Sequence, residues 1–158
     1  MPIYLDPKND LMFKKVFGEH KHLCISLLNS LLKFEGEAMI EWIEYDTSEL
    51  VPEIPLLKDS IVDVRCRDRR GREFIVEMQM KWTKDFQQRI VFNASKLYVK
   101  QVKKGEDIEL AQPVYSLNLV NDIFEREPKM EQVYYHHYKI VNIEHTEKQI
   151  KGLEFVFI

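Results

Sequence analysis

Residues 61–81, IVDVRCRDRRGREFIVEMQMK, form the most informative part of the sequence. Two segments within them, 61–67 and 73–81, are rich in β-forming residues and carry a polar side chain at nearly every second position, so each predicts a strand. The intervening DRRGR contains Gly71, and a three-residue loop that ends in a left-handed glycine is a common hairpin closure. The stretch therefore predicts an antiparallel β-hairpin of defined register.

That register brings two acidic residues together. With Asp68 and Arg72 flanking the loop, Asp63 lies directly opposite Glu77. Opposed side chains on one face stand about 4.5–5.5 Å apart at Cβ, and two carboxylates that close repel each other unless a cation lies between or beside them. Because Mg²⁺ accepts one or two carboxylates, a backbone carbonyl and several waters, we expect Asp63, Glu77 and the main-chain carbonyl of Met78 to bind it.

Alternation along the second strand separates a polar face from a core face. The polar face carries Glu77, Gln79 and Lys81, and the core face carries Val76, Met78 and Met80. If a phosphodiester is hydrolysed at this metal site, Gln79 can orient the attacking water or contact the phosphate, although an amide cannot act as a general base.

Hydrophobic periodicity predicts the remaining elements. The predicted helices run from a cap at Asp6-Pro7 to Gly18, over 22–32 and over 84–104, and the predicted strands cover 39–45, 114–120, 133–143 and 153–158. Residues 47–57 contain two prolines and predict an irregular connection. We expect one domain over residues 1–158. Because the sequence ends in FVFI, within an apolar strand, we also expect that domain to be truncated at its C-terminus.

Length and composition exclude several classes of protein. With 158 residues, of which 45% are hydrophobic and 31% charged, the chain is neither disordered nor of low complexity. It contains no apolar run long enough to span a membrane and no signal-peptide pattern, so we expect a soluble, cytoplasmic protein. Cys24 and Cys66 lack metal-ligand spacing, and we expect them to be buried free thiols.

The net charge of −3 conceals a basic middle third. Between Lys58 and Lys104 there are 13 basic and 6 acidic residues, and such a local positive field can hold a phosphate backbone. We expect the polar side of the predicted helix over 84–104 to contribute to this field. The cations that we expect to contact nucleic acid are Arg89, Lys96 and Lys100 on the helix and Lys81 on the strand. The alternative is that these side chains only solvate their helix and strand faces.

Several motifs occur in a characteristic order along most of the chain. They are Asn9-Asp10-x-x-Phe13-Lys14-x-Val16-Phe17-Gly18, then Asp63, then Glu77-Met78-Gln79, then Arg89 and Tyr98, and finally Gly105-Glu106-Asp107 with Pro113-Val114. Together they resemble the Rpn-type family of recombination-promoting nucleases and transposases, which belongs to the PD-(D/E)xK phosphodiesterases. The resemblance implies an α/β fold with a restriction-endonuclease-like core, in which helices flank a mixed β-sheet. It also implies DNA as substrate and an endonuclease site that depends on Mg²⁺ or Mn²⁺.

Carried over residue by residue, the resemblance implies a catalytic role for four positions. Asp63 and Glu77 correspond to the two acids of the motif, Gln79 to the place usually held by lysine, and Asp10 to an extra acid that some members use. Because Gln79 lacks the positive charge of lysine, Lys81 can substitute for it.

A catalytically inactive DNA-binding or assembly module that retains the nuclease fold is the alternative. Cutting two strands usually requires two sites, which makes a homodimer attractive.

Overall fold

A mixed six-stranded β-sheet forms the centre of the computed structural model of the chain. The strand order is β1-β4-β5-β6-β8-β7, with a separate two-stranded sheet, β2-β3. The strands are β1 (Ile43–Tyr45), β2 (Glu49–Leu50), β3 (Ser60–Ile61), β4 (Val64–Asp68), β5 (Glu73–Gln79), β6 (Val114–Val120), β7 (His136–Val141) and β8 (Gln149–Phe157). β5 pairs parallel with β6, and β6 pairs parallel with β8. The pairs β1-β4, β4-β5 and β7-β8 are antiparallel.

Helices cover both faces of this sheet. They are α1 (Asp10–Glu19), α2 (Lys21–Leu31) and α3 (Lys84–Lys100), with short 3-10 turns at Gly36–Ala38 and Ile108–Leu110. The structure describes residues 6, 8–46, 49–50, 60–103, 105–123, 125, 127–130 and 132–158. A mixed sheet between helices confirms the predicted fold class. The described part of the chain contains no helix suited to span a membrane.

Two apolar layers hold the helices against the sheet. On one face, Phe13 of α1 and Leu28 of α2 pack with Phe74 and Val76 of β5. On the other face, Leu97 of α3 packs with Ile75 of β5 and Val114 of β6. Phe86 and Ile90 of α3 pack with Phe157 of β8. β5 is therefore covered on both sides, as expected for a strand in the parallel part of a sheet. Cys24 and Cys66 are both buried free thiols, as predicted.

The β4-β5 hairpin has the predicted register. Val64 pairs with Val76 and Arg67 with Glu73, and the loop closes through a 3.1 Å hydrogen bond from the Asp68 amide to the Arg72 carbonyl. Gly71 adopts a φ of 80°, a left-handed conformation that glycine reaches without steric cost. The loop chemistry therefore fixed the pairing as the sequence predicted.

Several predicted boundaries were wrong by a few residues. β4 begins at Val64 because Ile61 pairs with Glu49 in the small sheet, so the chain bends at 62–63. The cap of α1 is Asn9, whose side chain accepts a hydrogen bond from the Leu11 amide, rather than Asp6, whose carboxylate accepts one from the Lys8 amide. Most of the predicted irregular connection over 47–57 lies outside the described residues.

The other differences concern where elements end. α3 ends at Lys100, β7 covers only 136–141, and β8 begins at Gln149, four residues earlier than the predicted 153–158. β8 extends because its first residues continue the pairing with β7 beyond an irregularity at Lys139 and Ile140. For β7 and β8, pairing between the two strands set these ends, and that pairing is not visible in local periodicity.

Candidate active site

Asp63 lies at the bend that precedes β4, and it ties this bend to the end of β5. Its Oδ2 atom accepts a 2.7 Å hydrogen bond from the Met78 amide. Its Oδ1 atom lies 3.3 Å from the Lys14 ammonium nitrogen of α1. The Asp63 side chain is therefore held by the backbone of the neighbouring strand while a helix supplies its counter-charge.

Glu77 lies near the end of β5, on the face that α3 covers, and is almost fully buried. The Asn93 amide nitrogen donates to its Oε1 atom at 3.2 Å, and an Arg89 guanidinium nitrogen lies 3.4 Å from its Oε2 atom. Burial raises the pKa of the Glu77 carboxyl above its ordinary value, while Arg89 and Asn93 oppose this shift. A buried carboxylate of this kind favours a bound cation.

The two acids meet at the same end of the sheet. The β4-β5 ladder ends at the Val64–Val76 pair, and Asp63 and Glu77 are the next residues outward on the two strands. The negative charge of Asp63 contributes to the raised pKa of Glu77, so the two carboxylates lie within electrostatic reach of each other. Their present partners come from different layers, since Lys14 belongs to α1 and Arg89 to α3.

The donor set suits a hard divalent cation. The described residues contain no cluster of three or more His, Cys, Asp or Glu that could hold a metal ion. Among the described side chains, a metal at this end of the sheet would find the carboxylates of Asp63 and Glu77, and Mg²⁺ accepts one or two carboxylates together with main-chain and water oxygens. Met78, whose carbonyl the sequence suggested as a ligand, contacts Asp63 through its amide.

Gln79 lies next to Glu77 on the same face of β5, and both ends of its side chain have partners. Its Oε1 atom accepts a 3.3 Å hydrogen bond from Arg89, and its Nε2 atom donates to the Lys81 carbonyl at 2.8 Å. Lys81 itself is exposed. Gln79 therefore connects β5 to Arg89, a residue that the sequence suggested only as a contact to nucleic acid.

The predicted basic face of α3 is only partly present. Arg89 is exposed and Lys100 is half-buried, but Lys96 is only 9% exposed and its ammonium nitrogen lies 5.1 Å from the centre of the Phe92 ring. The expectation that Lys96 lies on an exposed polar side was therefore wrong. α3 also contacts β2, so a wider part of its surface is covered than a single apolar stripe predicts.

Asp10 is the first residue of α1, one helical turn before Lys14. Its side chain lies outside the described part of the structure. Two further residues of the site were not predicted from the sequence: Asn93 had no assigned role, and Lys14 was named only within the N-terminal motif. Asn93 had a visible signal, because it is an amide next to Ala94 and one turn after Arg89 on a helix whose neighbouring positions are apolar.

Of the comparisons with known proteins, the one with family models gives a match. Searches of curated proteins and of solved structures returned no match. A family model described as "PD-(D/E)XK nuclease family transposase" matches residues 7–158. This match covers nearly the whole chain and confirms the resemblance that the motifs suggested. The chain therefore belongs to the PD-(D/E)XK nuclease family of transposases.

Proposed function

We propose that the chain is a metal-dependent endonuclease that hydrolyses phosphodiester bonds in DNA during recombination or transposition. The observation that carries this proposal is that Asp63 and the buried Glu77 lie just beyond the last pair of the β4-β5 ladder, at the same end of the sheet. Family membership supports nucleic acid as the substrate class. The two carboxylates lie within electrostatic reach and have side-chain cations, Lys14 and Arg89, as their present counter-charges.

Asp63 and Glu77 would hold Mg²⁺ or Mn²⁺, with the Met78 carbonyl and Asp10 as further proposed ligands. When bound, such an ion neutralises phosphate charge and lowers the pKa of an attacking water. The hydrogen bond from Met78 to Asp63 and the one from Asn93 to Glu77 fix the two carboxylates before substrate arrives. This preorganisation lowers the reorganisation needed in the transition state.

Basic side chains near this end of the sheet would hold the DNA backbone. Arg89, Lys81 and Lys100 are at least partly accessible, and each phosphate contact adds a salt-dependent contribution to affinity. Lys96 is not included among these side chains, because it is buried.

A plasmid-nicking assay tests the proposal. We expect the purified protein to nick or linearise supercoiled DNA in Mg²⁺ or Mn²⁺ and to lose this activity in EDTA. Asp63→Asn and Glu77→Ala should each abolish cleavage, because each removes a ligand. The matched control is Glu44→Gln, which neutralises an exposed carboxylate whose partner, Arg67, also lies outside the site.

A titration with Mn²⁺ separates the proposal from the alternative of an inactive DNA-binding or assembly module. We expect wild-type protein to bind Mn²⁺ and Asp63→Asn to bind it much more weakly. Salt-dependent DNA binding without metal binding or cleavage would instead support the inactive module. Light scattering on the same sample tests the homodimer, which we propose only for cleavage of both strands.

A further inference from the structure

The side chain at position 79 carries no charge, although it lies beside the proposed metal site. Gln79 is exposed enough to reach substrate, yet its amide is engaged at both ends, by Arg89 and by the Lys81 carbonyl. Phosphodiester hydrolysis concentrates negative charge on the oxygens around phosphorus, and a fixed positive group stabilises that charge. Glutamine cannot provide such a group.

Arg89, which contacts both Glu77 and Gln79, can provide one. One of its guanidinium nitrogens lies 3.4 Å from Glu77 Oε2 and 3.3 Å from Gln79 Oε1. The guanidinium carbon also lies 5.1 Å from the ring centre of Phe86, which is buried. Three contacts from two elements therefore orient the guanidinium, while 47% of the side chain remains exposed. A planar guanidinium held in this way can form two hydrogen bonds to a phosphate.

We propose that Arg89 supplies the positive charge that position 79 lacks, and that Gln79 acts as a positioning residue for its guanidinium. The inference rests on the proposed DNA cleavage. In that reaction a water oxygen bonds to phosphorus and the bond from phosphorus to the leaving sugar oxygen breaks. One water proton passes to the leaving oxygen, and the other stays on the new phosphate hydroxyl or passes to solvent. Arg89 contacts the non-bridging phosphate oxygens during this step.

Lys81 and Lys14 are less suited to this role. Lys81 contacts Gln79 through its main-chain carbonyl, and its side chain is exposed. Lys14 lies beside Asp63 and belongs to α1, in the layer on the opposite side of the sheet from α3. Arg89, by contrast, contacts both Glu77 and Gln79 through its charged group.

A charge-swap experiment on the full chain tests the inference. At saturating DNA and Mn²⁺, we expect Arg89→Gln to lower kcat on the order of 10²-fold, the loss that removal of one transition-state donor produces. Gln79→Lys in the Arg89→Gln background should recover roughly tenfold or more, because it returns one cation to the same location. Gln79→Lys alone should give no gain, since lysine and Arg89 would repel each other. Arg67→Gln is the control, because it removes an exposed arginine paired with Glu44.

Mn²⁺ affinity in the absence of DNA provides a readout that does not depend on cleavage. We expect Arg89→Gln to bind Mn²⁺ at least as tightly as wild type, because a competing cation has been removed from Glu77. A purely structural role for Arg89 would instead disorder Glu77 and weaken Mn²⁺ binding. Weaker binding, or Arg89→Gln cleavage within threefold of an active wild type, would overturn the inference alone. Failure of the wild type to cleave any DNA would overturn the proposed function and this inference together.

Discussion

β5 carries two buried glutamates on the same face, one at each end. Glu73 is the first residue of β5, and Glu77 lies two residues before the end of the strand. Both are 4% exposed, and burial raises the pKa of each carboxyl. The strand, the face and the burial are shared, so any difference between the two glutamates comes from their partners.

Those partners differ in how deeply they are buried and in which elements supply them. Glu73 lies 3.6 Å from the Nε atom of Arg65, a residue of the adjacent strand that is itself only 8% exposed and also contacts Asp46 at 3.0 Å. Glu77 instead has Asn93 and the half-exposed Arg89, both from a helix, and a second acid, Asp63, close by. A buried fixed counter-charge indicates a structural ion pair. A half-exposed counter-charge beside a second carboxylate indicates a binding site.

The largest expected effect separates the two glutamates by activity. We expect Glu77→Gln to lower the cleavage rate on the order of 10³-fold or more, because loss of the proposed metal ligand would remove several kcal/mol of transition-state stabilisation. Glu73→Gln should stay within a few-fold of wild type, since Glu73 lies at the opposite end of β5. Both rates are measured on the plasmid substrate, with circular dichroism to verify folding. Equal losses in the two variants would remove the functional distinction.

A smaller effect separates their arginines by stability. We expect Arg65→Met to lower the free energy of unfolding by about 3 kcal/mol, because it leaves Glu73 as a buried carboxylate without its strand partner. Arg89→Met should cost about 1 kcal/mol or less, since the Arg89 side chain is half-exposed and its ion pair is screened by solvent. Urea unfolding at pH 7.5 measures both. A greater loss for Arg89→Met would make that residue part of the structural core.

The parts of this comparison that were predictable from sequence are those set by short-range chemistry. Gly71 and its flanking residues determine the loop, the loop determines the register, and the register places Asp63 next to Glu77. Alternation then assigned Gln79 to the same face as Glu77. These steps use interactions within a single hairpin.

The partners of the two acids were not predictable in the same way. Lys14 and Asn93 reach the site only because α1 and α3 pack on opposite faces of the sheet. How close these side chains come to the two acids depends on how the helices pack on the sheet. The spacing of apolar residues along a helix does not predict that packing. The burial of Lys96 was not predictable for the same reason, since helical periodicity places it on the polar side of α3, whereas in the structure it is only 9% exposed. A polar residue on the buried side of a helix, such as Asn93, was the available signal.

The smallest effect concerns how the stability cost of Glu77 depends on pH. Its folded-state pKa is raised above the ordinary value of 4.5, so between these two values the folded protein binds more protons than the unfolded chain. The contribution of Glu77 to the free energy of unfolding is therefore most favourable at low pH and is lost as pH rises through the raised pKa. Glu77→Gln does not titrate, and without metal it should be more stable than wild type at pH 8. This difference should disappear at pH 4, as measured by urea unfolding in EDTA at both values.

If Glu77→Gln were instead less stable than wild type at pH 8, Arg89 and Asn93 would outweigh the cost of burial. Glu77 would then be a structural acid like Glu73.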